Sequence, residues 1–100
     1  MNFIMIANSV FENEKLNFTD KALMGVINSL AQAEGYSYAS NEYLAKRMKV
    51  SKRTITKSIS KLKAENFIKI RTINYQRRIY LTDKVWGNNS RELDENFFFP

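Results

Sequence analysis

The side chains in this sequence with chemistry to offer are cations and amides, not nucleophiles paired with bases. Arg53, Lys57 and Lys61 recur every four residues, with Lys52 beside them and the hydroxyls of Ser51 and Thr54 at the head of the run. Residues four apart share one face of a helix. Further along, Arg71, Arg77 and Arg78 bracket Asn74, Tyr75 and Gln76. A guanidinium binds two acceptors in one plane, an ammonium neutralises a phosphate as a point charge, and an amide both donates and accepts. Such groups suit a polyanion that also carries information on its edges.

The distribution of charge sharpens this reading. Between Lys46 and Arg78 lie twelve basic residues and one acid, Glu65, a net +11, while the rest of the chain carries −5 within a total of +6. A solvated face ordinarily mixes both signs. A block of one sign repels itself unless an anion neutralises it, and nucleic acid is the partner that fits.

Other chemistries lack their residues. The chain has no Cys and no His, which removes disulfides, the usual zinc ligands and the commonest acid–base and nucleophile–base pairs. No phosphate-binding G-x-x-x-x-G-K-[ST] loop is present, so ATPase activity is not expected. The expectation is a non-enzymatic protein with no metal and no cofactor. No apolar run approaches the roughly 20 residues that span a bilayer, and Met1–Phe11 lacks the basic start of a signal peptide. A cytoplasmic location without membrane contact follows as an expectation. One hundred residues, 44% of them hydrophobic, suffice for one small domain with a modest core.

The elements that must position the cations can be read from periodicity. Phe3–Ile6 is a short apolar run, either a strand or a docking arm, and Asn8–Lys15 has room for one helical turn. A first secure helix should be capped by Thr19, with Asp20 at its positive end. Leu23, Ile27, Leu30 and Ala31 form its apolar stripe, and Gly35 is placed to end it in a left-handed conformation. Gly25, inside this helix, costs about 1 kcal/mol against Ala and is expected to admit close packing by another element. Tyr36–Ala39 is long enough for one more short strand. Ser40 should cap a second helix with Leu44, Ala45 and Met48, and Ser51 a third with Ile55, Ile59 and Leu62 inward and the Arg53, Thr54, Lys57, Lys61 face outward.

After Asn66 the period changes to two. Ile68 and Ile70 point one way and Lys69 and Arg71 the other; Ile79 and Leu81 oppose Arg78 and Tyr80. This alternation predicts a β-hairpin with one apolar and one basic face. Without an Asn-Gly pair its loop is expected to be three or more residues, Asn74-Tyr75-Gln76.

Two capped helices with a tight turn, a basic second member and a basic hairpin fit duplex DNA. A helix about 10–12 Å across matches a major groove about 12 Å wide. Arg53 can hold a guanine edge, Lys52, Lys57 and Lys61 can neutralise phosphate, and Thr54 can touch a thymine methyl. Ser51 spends its hydroxyl on the cap and offers its N–H. In the hairpin, Arg71, Arg77 and Arg78 suit a narrow minor groove, with Asn74, Tyr75 and Gln76 at its edges. Lys46, Lys49 and Lys63 are peripheral. Phe3, Phe11, Phe18, Phe67 and Trp86 are expected in the core or an interface, and no aromatic-rich run of the kind found on RNA-binding sheets is present.

The run YLAKRMKVSKRTI, Tyr43–Ile55, resembles the LAKRLGVSRRTV core of winged helix-turn-helix domains. LKAENFI, Leu62–Ile68, resembles the L-x-x-x-G-L-I lead-in to the wing, and IYLT, Ile79–Thr82, its Y-x-L return strand. The resemblance covers about residues 17–83. It implies an α+β fold, a three-helix core with a two- or three-stranded β-hairpin wing, over residues 1–86. Residues 87–100 then form a polar linker and a tail ending Phe97-Phe98-Phe99, which should dock on this chain or another. The resemblance is closest to replication initiators and replisome organisers of phages and plasmids from low-GC Gram-positive bacteria, and partition and conjugation accessory proteins share the architecture. It implies a double-stranded DNA partner, a homodimer on paired half-sites, other replication or transfer proteins as partners, and a role at an origin. A transcriptional repressor and a protein-interaction module are the alternatives. Lys49 and Asn66 stand where the family favours Gly. Lys tolerates positive φ poorly, so the turn between the second and third helices is expected to be opened or shifted.

Overall fold

A computed structural model of the chain describes residues 4–86. The order is α1 (Asn8–Phe11), α2 (Phe18–Leu30), α3 (Asn41–Met48), α4 (Lys52–Ala64), β1 (Ile68–Ile73), β2 (Gln76–Leu81) and a 3-10 turn over Asp83–Trp86. The three expected helices are α2, α3 and α4. The fold is the α+β winged helix-turn-helix: a helical core followed by a two-stranded antiparallel hairpin. Residues 87–100, with the linker and the Phe tail, and Phe3 lie outside the described residues.

α2 begins two residues earlier than expected. Its cap is Asn17, not Thr19: the Asn17 side chain accepts from the Asp20 N–H, and the Asp20 carboxylate accepts from the Asn17 N–H. That reciprocal pair satisfies two orphan donors, which a lone Thr19 hydroxyl would not. The helix also ends earlier, at Leu30. Gly35, at φ +85, instead closes the following turn by donating to the Ala31 carbonyl. Gly25 admits the N-terminal arm, since a Cβ there would meet Ile4 Cγ2 at 2.3 Å and the Met5 carbonyl at 3.2 Å.

Ser40 and Ser51 cap α3 and α4 as read, each accepting from the N–H three residues on. The turn between them is neither opened nor shifted. Lys49 adopts φ 60, ψ 44, donates to the Lys46 carbonyl, and is followed by a Val50 bond to the Ala45 carbonyl. This is the Schellman pattern normally built with Gly. Two backbone bonds and the packing of Val50 and Ala45 on the core offset the strain of a Lys there. α4 ends the same way around Asn66 at φ 64, with Asn66 and Phe67 bonded to the Lys63 and Leu62 carbonyls.

The core gathers Leu23, Ile27, Leu44, Ile55, Leu62, Phe67 and Ile79, all without exposed surface. In the hairpin Ile68 pairs with Leu81 and Ile73 with Gln76. The loop is therefore two residues, not three, with Asn74 at φ 52 and Tyr75 at φ 66. Positive φ at both central residues is the signature of a type I′ turn, whose twist matches the strands. A third strand is reduced to one antiparallel bridge, Ser37 to Ile79, with both backbone bonds made.

Candidate nucleic-acid interface

α4 holds its cations on a rigid, capped and half-buried frame. Ile55, Ser58, Ile59 and Leu62 face inward, which turns Lys52, Arg53 and Lys57 to solvent. Among the described residues, none of these three cations has a side-chain partner. The first turn of α4 contains no acid. Lys52 and Arg53 thus stand at the positive end of the helix macrodipole, where each cation costs roughly 0.3–1 kcal/mol in the absence of an anion. The Ser51 hydroxyl both caps the helix and donates to Thr54 Oγ1 at 3.0 Å, which leaves the Thr54 methyl and the free first-turn N–H groups as its offering.

Three cations of the sequence-predicted set have side-chain partners: Lys61, Arg77 and Arg78. Lys61 Nζ lies 2.6 Å from the Asp20 carboxylate. Asp20 is only 1% exposed and also accepts from Ser58 Oγ at 2.5 Å. Burial opposes its charge, but the hydrogen bonds from Lys61, Ser58 and the Asn17 backbone outweigh it and hold the carboxyl below its ordinary value. This cluster clamps the start of α2 to the middle of α4. Arg77 donates to Asn41 Oδ1 and to the Ala39 carbonyl, both at 2.7 Å. Burial lowers its pKa, although an arginine stays charged. It ties the wing to the start of α3.

The remaining wing residues divide by the strand register. Arg71 pairs with Arg78, and Lys69 with Tyr80, on the sheet face turned away from the core. Arg78 lies 4.5 Å over the Tyr36 ring and its Nε donates to Gln76 Oε1 at 2.7 Å. Asn74 and Tyr75 form the tip, and Tyr75 is fully exposed, at 102%. The predicted residues therefore form two exposed groups, the α4 cations and the wing tip with Arg71, then a half-buried pair, Gln76 and Arg78, and two anchors, Lys61 and Arg77.

Sequence reasoning did not find Asn41 or Asp20 as partners of those anchors. Asp20 carried a signal, the Asn-x-x-Asp spacing of a capping box; Asn41 carried none, because its contact with Arg77 crosses 36 positions. Of the aromatics expected in the core or an interface, Phe67 is buried, but Phe11, Phe18 and Trp86 keep about half or more of their surface exposed. Among the described residues no helix is long and apolar enough to cross a membrane, and no three His, Cys, Asp or Glu side chains are grouped to hold a metal ion.

Residues 14–68 match the model of a family described as a helix-turn-helix domain. The chain is similar to a solved structure described as the N-terminal domain of a DNA-binding protein, at 18% identity over 97% of this chain and 88% of that one, with a TM-score of 0.64. It is also similar to a point mutant of Lactococcus lactis ZitR (20% identity, 86% of this chain and 65% of that one, TM-score 0.55). The adhesin competence repressor of Streptococcus pyogenes gives 21% identity, 89% and 66% coverage and a TM-score of 0.53. At such identities the likeness is one of fold. No curated protein sequence matches the chain.

Proposed function

The chain belongs to the helix-turn-helix domain family, and from that premise we propose that it binds double-stranded DNA, with α4 in the major groove and the wing against the adjoining minor groove. One observation carries the proposal: Lys52, Arg53 and Lys57 stand exposed and unpaired on a capped helix whose first turn has no acid. A phosphate there converts an unfavourable dipole interaction into a favourable one and accepts free N–H groups. Arg53 reads a guanine edge, Lys52 and Lys57 neutralise phosphate, and Thr54 offers its methyl to thymine. The wing tip contributes Asn74, Tyr75 and Gln76, with Arg71 and Arg78 behind them reaching phosphate. Lys61 and Arg77 act as positioning residues.

Two copies on paired half-sites give the affinity and specificity that one such module lacks. Ile4, Met5, Phe11 and Phe18, all exposed on the α1–α2 side, supply an apolar contact for a homodimer.

The process served is transcriptional regulation, a reading supported by fold similarity to a repressor. The motif resemblance of Tyr43–Ile55 supports a second reading, the marking of a replication or transfer origin on a plasmid or phage. Selection of bound duplexes from random sequence, followed by footprinting, separates them. A single palindrome over a promoter supports regulation, and clustered direct repeats support the origin. Recovery of no preferred sequence refutes sequence-directed binding.

A further inference from the structure

The hairpin has a second surface that the sequence leaves scattered. Ser37 pairs with Ile79 through two backbone bonds of 2.9 and 2.8 Å, and both side chains are buried. Their neighbours must therefore point the opposite way, out of the sheet. On that outer face Tyr36 and Tyr38 lie beside β2, whose outward residues include Arg78 and Tyr80, and beyond them β1 presents Lys69 and Arg71. Ring contacts confirm the assembly: Tyr36 and Tyr80 centroids are 5.3 Å apart and Tyr36 and Tyr38 6.5 Å, while the Arg78 guanidinium lies over Tyr36.

Three tyrosines and three cations share this face, and no carboxylate stands in its rows. Arg71 and Arg78 are directly opposed across the strands, an arrangement of like charges that destabilises a hairpin. Among the described residues neither is neutralised by an acid, whereas Lys61 is paired with Asp20; Arg78 has only the neutral partners Gln76 and Tyr36. Tyr38 projects with 59% of its surface exposed. A solvated sheet face needs polar residues, but neither opposed arginines nor an exposed aromatic beside them.

We propose that the outer face of the wing binds single-stranded DNA. Tyrosine rings stack on bases only when those bases are unpaired, and the row of Lys69, Arg71 and Arg78 tracks a phosphate backbone alongside them. Charge complementarity selects a polyanion over an apolar peptide, and the aromatic content selects a single strand over a duplex. The face begins behind the wing tip, so a strand released beside a bound duplex can run directly onto it. This site stands whether or not α4 reads a duplex.

The test is fluorescence anisotropy of the full chain with a labelled fifteen-nucleotide oligothymidine, compared with a labelled duplex. Stacking of one base on an aromatic is worth about 1–3 kcal/mol, so Tyr38→Ala should weaken the single strand by roughly 5- to 150-fold and Tyr38→Phe should restore it. Lys69→Glu should also weaken it, with duplex affinity little changed in all three. Saturation with duplex should leave the single strand bound through Tyr38 and Lys69, but more weakly, because Arg71 and Arg78 are shared. Circular dichroism confirms that each variant is folded; Lys69→Glu, at an exposed position, keeps the test open if Tyr38→Ala is not. The proposal is overturned if the single strand does not bind, if duplex displaces it one for one, or if Arg53→Glu weakens it as much as Lys69→Glu does.

Discussion

Tyr75→Gly should make this protein more stable and a poorer DNA binder. Tyr75 holds φ 66 in a two-residue turn whose other member, Asn74, is also left-handed. A side chain in that region costs roughly 1–2 kcal/mol, and the tyrosine recovers none of it by packing, because its surface is fully exposed. Glycine removes the strain and creates the Asn-Gly pair favoured in type I′ turns. Glycine also brings more freedom to the unfolded chain, a penalty of about 0.4–1 kcal/mol. The midpoints of these ranges leave a stabilisation of about 0.8 kcal/mol. For a domain of this size 1 kcal/mol moves Tm by about 4–8 °C, so thermal unfolding followed by circular dichroism should shift up by about 3–6 °C. Duplex affinity, measured by anisotropy at fixed salt, should fall, since the ring at the wing tip is lost while the hairpin is firmer. An unchanged or lowered Tm refutes the strain argument. A raised Tm with unchanged affinity removes Tyr75 from the interface.

Other substitutions probe the frame. Asp20→Asn should cost about 1–2 kcal/mol, a charge-assisted bond discounted for the partly exposed Lys61, measured by urea denaturation at pH 7. The Asp20 carboxyl sits below its ordinary 3.8 when folded, so its contribution is complete above that value and disappears as pH falls through the lower folded-state value; stability in that acid range should decline less steeply in the variant. Arg77→Ala should cost about 1–3 kcal/mol by stranding the Asn41 and Ala39 acceptors, and hydrogen exchange should quicken in β2. Gly25→Ala places a Cβ against Ile4 and Met5, so exchange at Val10 and Phe11, whose N–H groups bond the Ala7 carbonyl, should accelerate even though helix propensity rises by about 1 kcal/mol.

The parts of this fold legible in the sequence are those set by local chemistry. Ser40 and Ser51 announce their helices because a serine hydroxyl has few better uses than a helix's free N–H. The alternation of Ile68, Ile70, Ile79 and Leu81 announces the hairpin because one sheet face is buried. The misread turns share a different cause: tertiary structure enforces a backbone that the residue type disfavours. Lys49, Asn74 and Tyr75 all occupy positive φ, which residue identity argued against at Lys49 and Tyr75. At Lys49 the neighbouring Val50 and its Schellman bonds decide. At Asn74 and Tyr75 the decisive feature is a register held by Ile79 in the core and Arg77 on Asn41 and Ala39. The basic residues were legible as a set, but which of them the fold engages and which it leaves unpaired was not. Lys61 looks like Lys57 until Asp20, 41 positions away, is brought within 2.6 Å of it. The tyrosine face is the extreme case, since Tyr36 and Tyr80 meet only through the Ser37–Ile79 bridge.

On the proposed function, unpaired cations on α4, aided by the wing, neutralise DNA phosphate. A duplex titration at several salt concentrations measures this directly. Each phosphate contact contributes about −0.9 to the slope of log K against log salt. The expected slope is about −3.6 or steeper, from Lys52, Lys57, Arg71 and Arg78 at phosphate, moving toward zero by about 0.9 for each one removed. A flat plot, or a slope untouched by Lys52→Gln and Lys57→Gln, would contradict it.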